Sequence, residues 1–278
     1  MQIRSMARRA SMAARGSLAV LPHLRALEDV ETFCLFVGYA RSGHSLVGQM
    51  LDAHPEAVVA HELDALAFLR YPRPVLYGML IRRARDFATT GSGWTGYSYR
   101  ISGQWQGRYN TIRVIGDKKG GKTTGRLGED PDLLRRLRAR VGVPVKIVLV
   151  TRNPFDNIAT LARRNGGDFE QALEYYTLRY KVVERLRADV GEDLLHLRHE
   201  DLVADPRREL SRLCDLFGLA PYPDYLEACA GVVLESPHRT SQEVAWPNHV
   251  REDVQDLTAR FSFLHGYEQP LPPELELR

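Results

Sequence analysis

A chain of 278 residues is long enough for one large α/β domain or two small ones, and its 44% hydrophobic and 26% charged content is ordinary for a globular protein. A formal net charge of +3, with acidic residues interspersed among the arginines, is too mild for a nucleic-acid binder and suits a small anionic ligand. Three scattered cysteines, Cys34, Cys214 and Cys229, argue against a disulfide framework and for a reduced, cytoplasmic protein. No His/Cys/Asp cluster has metal-ligand spacing, and no apolar run approaches the roughly 20 residues needed to cross a bilayer.

Residues 1–27 hold Arg4, Arg8, Arg9, Arg15 and Arg25 and no acidic residue. Such a segment fits a transit peptide or a membrane-surface helix. The simpler reading is a basic tail leading into a short docking helix around 18–27. Residues 1–30 are therefore read as tail and helix, and 31–278 as a single domain.

Residues 33–62, FCLFVGYARSGHSLVGQMLDAHPEAVVAHE, organise the rest. They read as a buried strand (33–38), a tight turn (39–43), a helix (44–53) and a second short strand ending at His61-Glu62. A strand feeding a helix through a Gly-containing turn aims free N–H groups and the helix dipole at one spot, which favours an anion. Residues 63–70 and 75–87 look helical. Residues 90–110 read as a loop or irregular hairpin, whose Trp94, Tyr97, Tyr99, Trp105 and Tyr109 line an acceptor pocket or simply pack. A strand over 111–115 and a helix over about 130–140 come next. The apolar, β-branched run 145–150 is a third strand, as expected of a parallel strand buried on both faces. Helices follow at 168–189, 206–217, 224–230 and 253–261, with a strand at 194–197 and a loop over 234–250. Strands alternating with helices imply an α/β fold, three layers with a mostly parallel central sheet flanked by helices, P-loop-like in kind.

Two stretches compete for the phosphate. Residues 116–123, GDKKGGKT, satisfy the P-loop pattern and would give a kinase or ATPase with Lys122 on the outer phosphates and Thr123 on magnesium. The glycines and Pro131 that follow argue against a helix starting at Lys122, and the next strand ends without a metal-holding Asp. The rival is the loop at Arg41, Ser42, Gly43, His44 and Ser45. It gains from a second strand-to-helix junction, where Arg152 ends a strand and Thr160 lies about two helical turns beyond Pro154. Two anion sites at strand ends imply a ligand with phosphates at two positions.

These residues resemble the sulfotransferase family that uses 3′-phosphoadenosine 5′-phosphosulfate (PAPS) and releases 3′,5′-bisphosphoadenosine (PAP). GYARSGHSL is similar to the family's 5′-phosphosulfate loop, and LDAHPEAVVAHE continues it as in bacterial and tyrosylprotein sulfotransferases. VLVTRNPFDNIAT is similar to the 3′-phosphate motif, LRHEDLVADPRRELSRLCDLFGL to a later strand-loop-helix, and HGYE to the usual ending. Ala40 and His44 depart from the usual Pro and Thr, and GDKKGGKTT stands where relatives have a shorter stretch.

The resemblance implies a sulfuryl transfer with defined roles. Arg41 would take charge on the leaving phosphate, and residues 42–45 would hold the 5′-phosphate. Arg152 and Thr160 would bind the 3′-phosphate, Arg239 would close over it, and Trp246 would stack on adenine or pack. Glu62 is the first candidate for general base, with a pKa raised by partial burial; His61 and Asp117 are the alternatives. Lys118 would assist at the sulfonate or is a solvated lysine. No metal is required. The acceptor is a small molecule, carbohydrate, lipid or peptide bearing a hydroxyl or amine. A homodimer and a non-catalytic nucleotide- or lipid-surface-binding protein stay open.

Overall fold

The computed structural model describes residues 11–90 except 13 and 15, residues 99–234, residue 236 and residues 239–268. Five strands, β1 (Thr32–Gly38), β2 (Ala57–His61), β3 (Val114–Lys118), β4 (Val145–Thr151) and β5 (Leu194–Arg198), form one sheet in the order β2-β3-β1-β4-β5. Every pairing is parallel. The α-helices after residue 40 are α1 (His44–Asp52), α2 (Arg73–Thr90), α3 (Gly121–Glu129), α4 (Leu133–Val141), α5 (Pro154–Arg164), α6 (Phe169–Val190), α7 (His199–Ala204), α8 (Pro206–Phe217), α9 (Pro223–Ala230) and α10 (Asn248–Arg260).

Side chains alternate across a strand, so β1 serves two cores at once. Phe33, Leu35 and Val37 join Tyr77 of α2, Ile158 of α5, Tyr176 of α6 and Val254 of α10. Cys34 and Phe36 join Met50 of α1, Leu213 of α8 and Cys229 of α9. The sheet is thus the middle of three layers. The three cysteines are buried free thiols.

The strand order sets where a ligand belongs. The chain leaves β1 toward β2 on one side of the sheet, whereas it leaves β4 toward β5 on the other. The two strands lie side by side, with Gly38 opposite Val150. The direction of the connections therefore switches between their carboxyl ends, the position at which open α/β sheets hold ligands.

Four expected elements differ. β3 lies at Val114–Lys118, three residues later than 111–115, and the polar pair Asp117-Lys118 is fully buried in it. The stretch 63–70 holds only a 3₁₀ turn, Ala65–Phe68. The last helix begins at Asn248, five residues earlier than 253. A helix does start at Gly121 (Gly121–Glu129), where the glycines argued against one. Those glycines face α6: a Cβ at Gly125 would come within 3.4 Å of Arg179 Nη2 and one at Gly128 within 2.8 Å of Val182 Cγ2, while at Gly121, where the helix begins, it would overlap the Tyr175 hydroxyl. Close packing outweighs intrinsic propensity here.

Gly116 shows the same logic inside the sheet. A Cβ there would overlap the Cys34 carbonyl oxygen of β1. Main chain cannot yield as a flexible side chain can. Gly116→Ala is therefore expected to cost about 3 kcal/mol, the upper end for overpacking, and to lower the Tm by about 5 °C in a thermal melt.

Candidate active site

The first anion loop is built by what packs beneath it. Tyr39 is fully buried, edge-on to Tyr180 at 4.6 Å and tilted on Tyr176, both of α6. The Tyr176 hydroxyl donates to the Ala40 carbonyl at 2.6 Å, and Ser42 Oγ donates to the Tyr39 carbonyl at 2.8 Å. Gly38 N donates to Thr124 Oγ1 of α3 at 2.8 Å. The turn is held from inside, and the N-terminus of α1 points out of it. Gly43 caps α1 at φ 91°, a conformation glycine reaches without Cβ strain, and no side chain caps the helix. The first-turn donors stay available to an anion. Arg41 also has positive φ, 68°.

The second loop follows β4. Asn153 Oδ1 accepts from Phe155 N at 3.0 Å, capping α5, and Asn153 N donates to Glu200 Oε1 at 2.8 Å. Arg152 is buried at the strand end. His199 links the loops: a Cβ on Gly43 would come within 2.6 Å of its Nδ1. Burial, and then the Arg152 charge, push its pKa down to about 4. The Tyr176 hydroxyl feels both Arg41 and Arg152. The two arginines predicted for two phosphates thus both lie near the Tyr176 hydroxyl.

Thr160 and the later segment do not present themselves as drawn from the sequence. Thr160 Oγ1 donates to its own helix at Asp156 O, 2.7 Å, and lies 3.1 Å from Thr240 Oγ1. Asp156 Oδ1 accepts from Ser241 N at 2.9 Å and from Ser241 Oγ at 2.7 Å. Trp246 packs between Phe155 and Phe169 and donates from Nε1 to Ser241 O at 3.0 Å, so it braces this segment against α5. Arg239 is exposed just before the turn Thr240–Gln242.

The third group sits at the ends of β2 and β3. Lys118 is fully buried, which overturns the solvated-lysine reading. Its stem crosses α1 at Gly48, where a Cβ would lie 2.7 Å from Lys118 Cγ. Nζ donates to Ser45 Oγ at 2.8 Å and to Glu62 Oε1 at 2.7 Å, and lies 3.4 Å from His61 Nε2. Lys119 Nζ pairs with Glu62 Oε2. Glu62 also has positive φ, 63°. Non-glycine residues pay for that conformation, and such strain clusters at functional sites. Burial alone would raise the Glu62 pKa, but Lys118 and Lys119 outweigh it and hold it down at about 2. The expected upward shift is corrected: the carboxylate is partly buried, but it is doubly paired.

The alternative bases are placed differently. His61 is fully buried and stacked on Phe87 at 3.7 Å; burial and then Lys118 hold its pKa at about 3. Asp117 accepts from Leu63 N at 3.0 Å and Ala65 N at 2.8 Å, and burial raises its pKa to about 6. It ties down the chain that follows Glu62. His44 is buried, its Nδ1 3.3 Å from Ser42 Oγ. Burial and then Lys118 hold its pKa at about 3.

Residues 144–224 match the model of a sulfotransferase family, a span that includes Arg152 and Thr160. That stretch of the chain is similar to the sulfotransferase family. Solved structures agree on the fold. The sulfotransferase domain of the olefin synthase of Synechococcus PCC 7002 superposes with a TM-score of 0.56 at 18% identity, over 87% of this chain and 96% of that one. The sulfotransferase domain from the curacin biosynthetic pathway gives 0.55 at 16% identity, over 87% and 99%. A sulfotransferase from Mycobacterium tuberculosis H37Rv gives 0.51 at 14% identity, over 94% and 85%. No curated protein matches the chain.

The P-loop pattern at 116–123 is not laid out as a phosphate-wrapping loop, although a helix does follow it. Gly116, Asp117 and Lys118 lie in β3, so only Lys119 and Gly120 separate strand from helix. Lys122 is exposed and paired with Asp64 at 3.0 Å. A Cβ on Gly120 would lie 2.5 Å from His44 Nε2, so the short turn packs on the candidate anion loop. Sequence reasoning missed Lys119, Thr124, Tyr176 and His199. The i, i+4 spacing of Tyr176 and Tyr180 on a long helix was the available signal for the aromatic bed. Trp94 and Tyr97 lie outside the described residues. Trp105 packs under Arg108, and Tyr109 bonds His23.

Proposed function

We propose that the protein moves a sulfuryl group from PAPS to a hydroxyl or amine and releases PAP. The reading rests on one observation: two arginine-bearing loops at the carboxyl ends of adjacent strands, beside a buried Lys118 paired with the partly buried Glu62. The donor supplies an activated sulfuryl group and phosphates at both ends of its ribose. Arg152 would hold the 3′-phosphate, with Arg239 closing from the exposed turn and Thr160 fixing that turn through Thr240. The N–H groups at 42–45 would hold the 5′-phosphate. Arg41 and Lys118 would stabilise the charge left on that phosphate as the S–O bond breaks. Glu62 would accept the acceptor's proton as its oxygen or nitrogen bonds to sulfur. His61, neutral and enclosed, would serve Lys118 rather than the acceptor. The acceptor is a small molecule, carbohydrate, lipid or peptide.

The test is ligand-induced stabilisation. PAP at about a hundredfold over its Kd, without magnesium, should add about 2.7 kcal/mol and raise the Tm by about 5 °C. Arg152→Ala should abolish the shift. A shift seen only with ATP and magnesium, and lost in Lys122→Ala, would overturn the reading in favour of a kinase or ATPase.

A further inference from the structure

We infer that the N-terminal segment is a docking surface for an anionic lipid bilayer. Charge is the first observation. Lys and Arg number 38 and Asp and Glu 35, but residues 1–27 contain five arginines and no acid, so residues 28–278 carry 33 against 35, a net of −2. All the positive excess of the protein sits in its first tenth.

The second observation is which face of this segment is used. Residues 16–20 are helical, followed by 3₁₀ turns at Leu21–His23 and Arg25–Leu27. One face is locked to the body. A Cβ on Gly78 of α2 would overlap the Gly16 carbonyl oxygen, so the two backbones touch. Val20 and His23 are buried, and His23 bonds the Tyr109 hydroxyl and lies 3.4 Å from Arg85 Nη2. The other edge is apolar and bare: Leu18 is 71% exposed, Leu21 60% and Leu24 47%. Residues at i and i+3 eclipse in 3₁₀ geometry, so Leu21 and Leu24 share an edge, with Leu18 one turn before. Arg25 is exposed beside them. Exposed leucines on one edge beside Arg25, in a stretch of sequence (1–27) that holds five arginines and no acid, form the pattern that lies in the interface of an anionic bilayer. The body holds this edge in place, so docking costs little ordering.

The full-length protein is sedimented with vesicles of phosphatidylcholine alone and of phosphatidylcholine mixed with phosphatidylglycerol. Binding should be at least about tenfold tighter to the mixed vesicles and should weaken with added salt. Leu18→Ser/Leu21→Ser/Leu24→Ser should reduce it by at least about tenfold with an unchanged Tm, because the three side chains are exposed. Equal binding to both vesicles, no binding, or an unaffected triple variant overturns the inference. So does a dimer in solution that the triple variant dissociates while vesicles go unbound. None of these outcomes touches PAP binding, so this surface and the transferase site fail separately.

Discussion

Glu62→Gln is expected to lower kcat by about 10²–10⁴-fold while the PAP-induced thermal shift survives, because it removes a proton acceptor and leaves the phosphate loops intact. The geometry makes this a demanding role. Two lysines hold the carboxylate at a pKa of about 2, too weak a base by itself. Lys118 also donates to Ser45 of the loop, so a bound phosphosulfate would compete for Lys118 and return basicity to Glu62 when it is needed. Lys119→Gln removes one of the two cations, and the acid limb of kcat/KM should then move to higher pH. Stability carries the same signature. The folded pKa is depressed from 4.5 to about 2, so the carboxylate stabilises the fold above pH about 4.5 and loses that contribution as pH falls toward 2. The stability gap between wild type and Glu62→Gln in urea melts should therefore shrink over that window. Turnover within about threefold of wild type would remove Glu62 from the chemistry.

What could be read from the sequence follows the physics of each segment. β1 and β4 were legible because burial on both faces writes an apolar run, broken in β4 only by Lys146, and the Arg41 loop because a strand, a glycine and a helix follow in order. The helix over 206–217 was legible end to end, with Pro206 opening it and Gly218 closing it in the left-handed conformation. β3 and α3 were not. Gly116, Asp117 and Lys118 look like turn residues, yet the glycine admits β1, the aspartate takes two backbone donors and the lysine donates to Ser45. In α3, glycine reads as a helix breaker in one dimension and as a contact on α6 in three. Local rules failed next to the chemistry, where a fold concedes local preference to function. The depressed pKa of Glu62 was illegible for a related reason. Its partners Lys118 and Lys119 lie 56 and 57 residues away, and only the pairing of β2 with β3 brings them together.

Lys118→Met separates catalysis from stability more sharply than any other change at this site. Lys118 Nζ is the one described group bonded both to the anion loop, at Ser45 Oγ, and to the candidate base, at Glu62 Oε1. A donor aimed at developing charge in a buried site is worth about 10²–10³-fold in kcat, so a loss of that size is expected, with a raised KM for the donor. Stability should move the other way from the usual core substitution. Burial already pushes the lysine's pKa down, against the pull of Glu62. Methionine fills the same channel past Gly48 without a charge, and Glu62 keeps Lys119 as its partner. Removing one member of a buried ion pair is costly when it strands the other charge, but here Glu62 is partly exposed and stays paired, so that cost is small. The Tm should therefore hold or rise while kcat falls. The double variant with Glu62→Gln should lose far less than the product of the two single losses, because the two side chains act on one proton and one leaving group. Multiplicative losses would mean that Lys118 and Glu62 act independently, and the paired role assigned to them would be wrong.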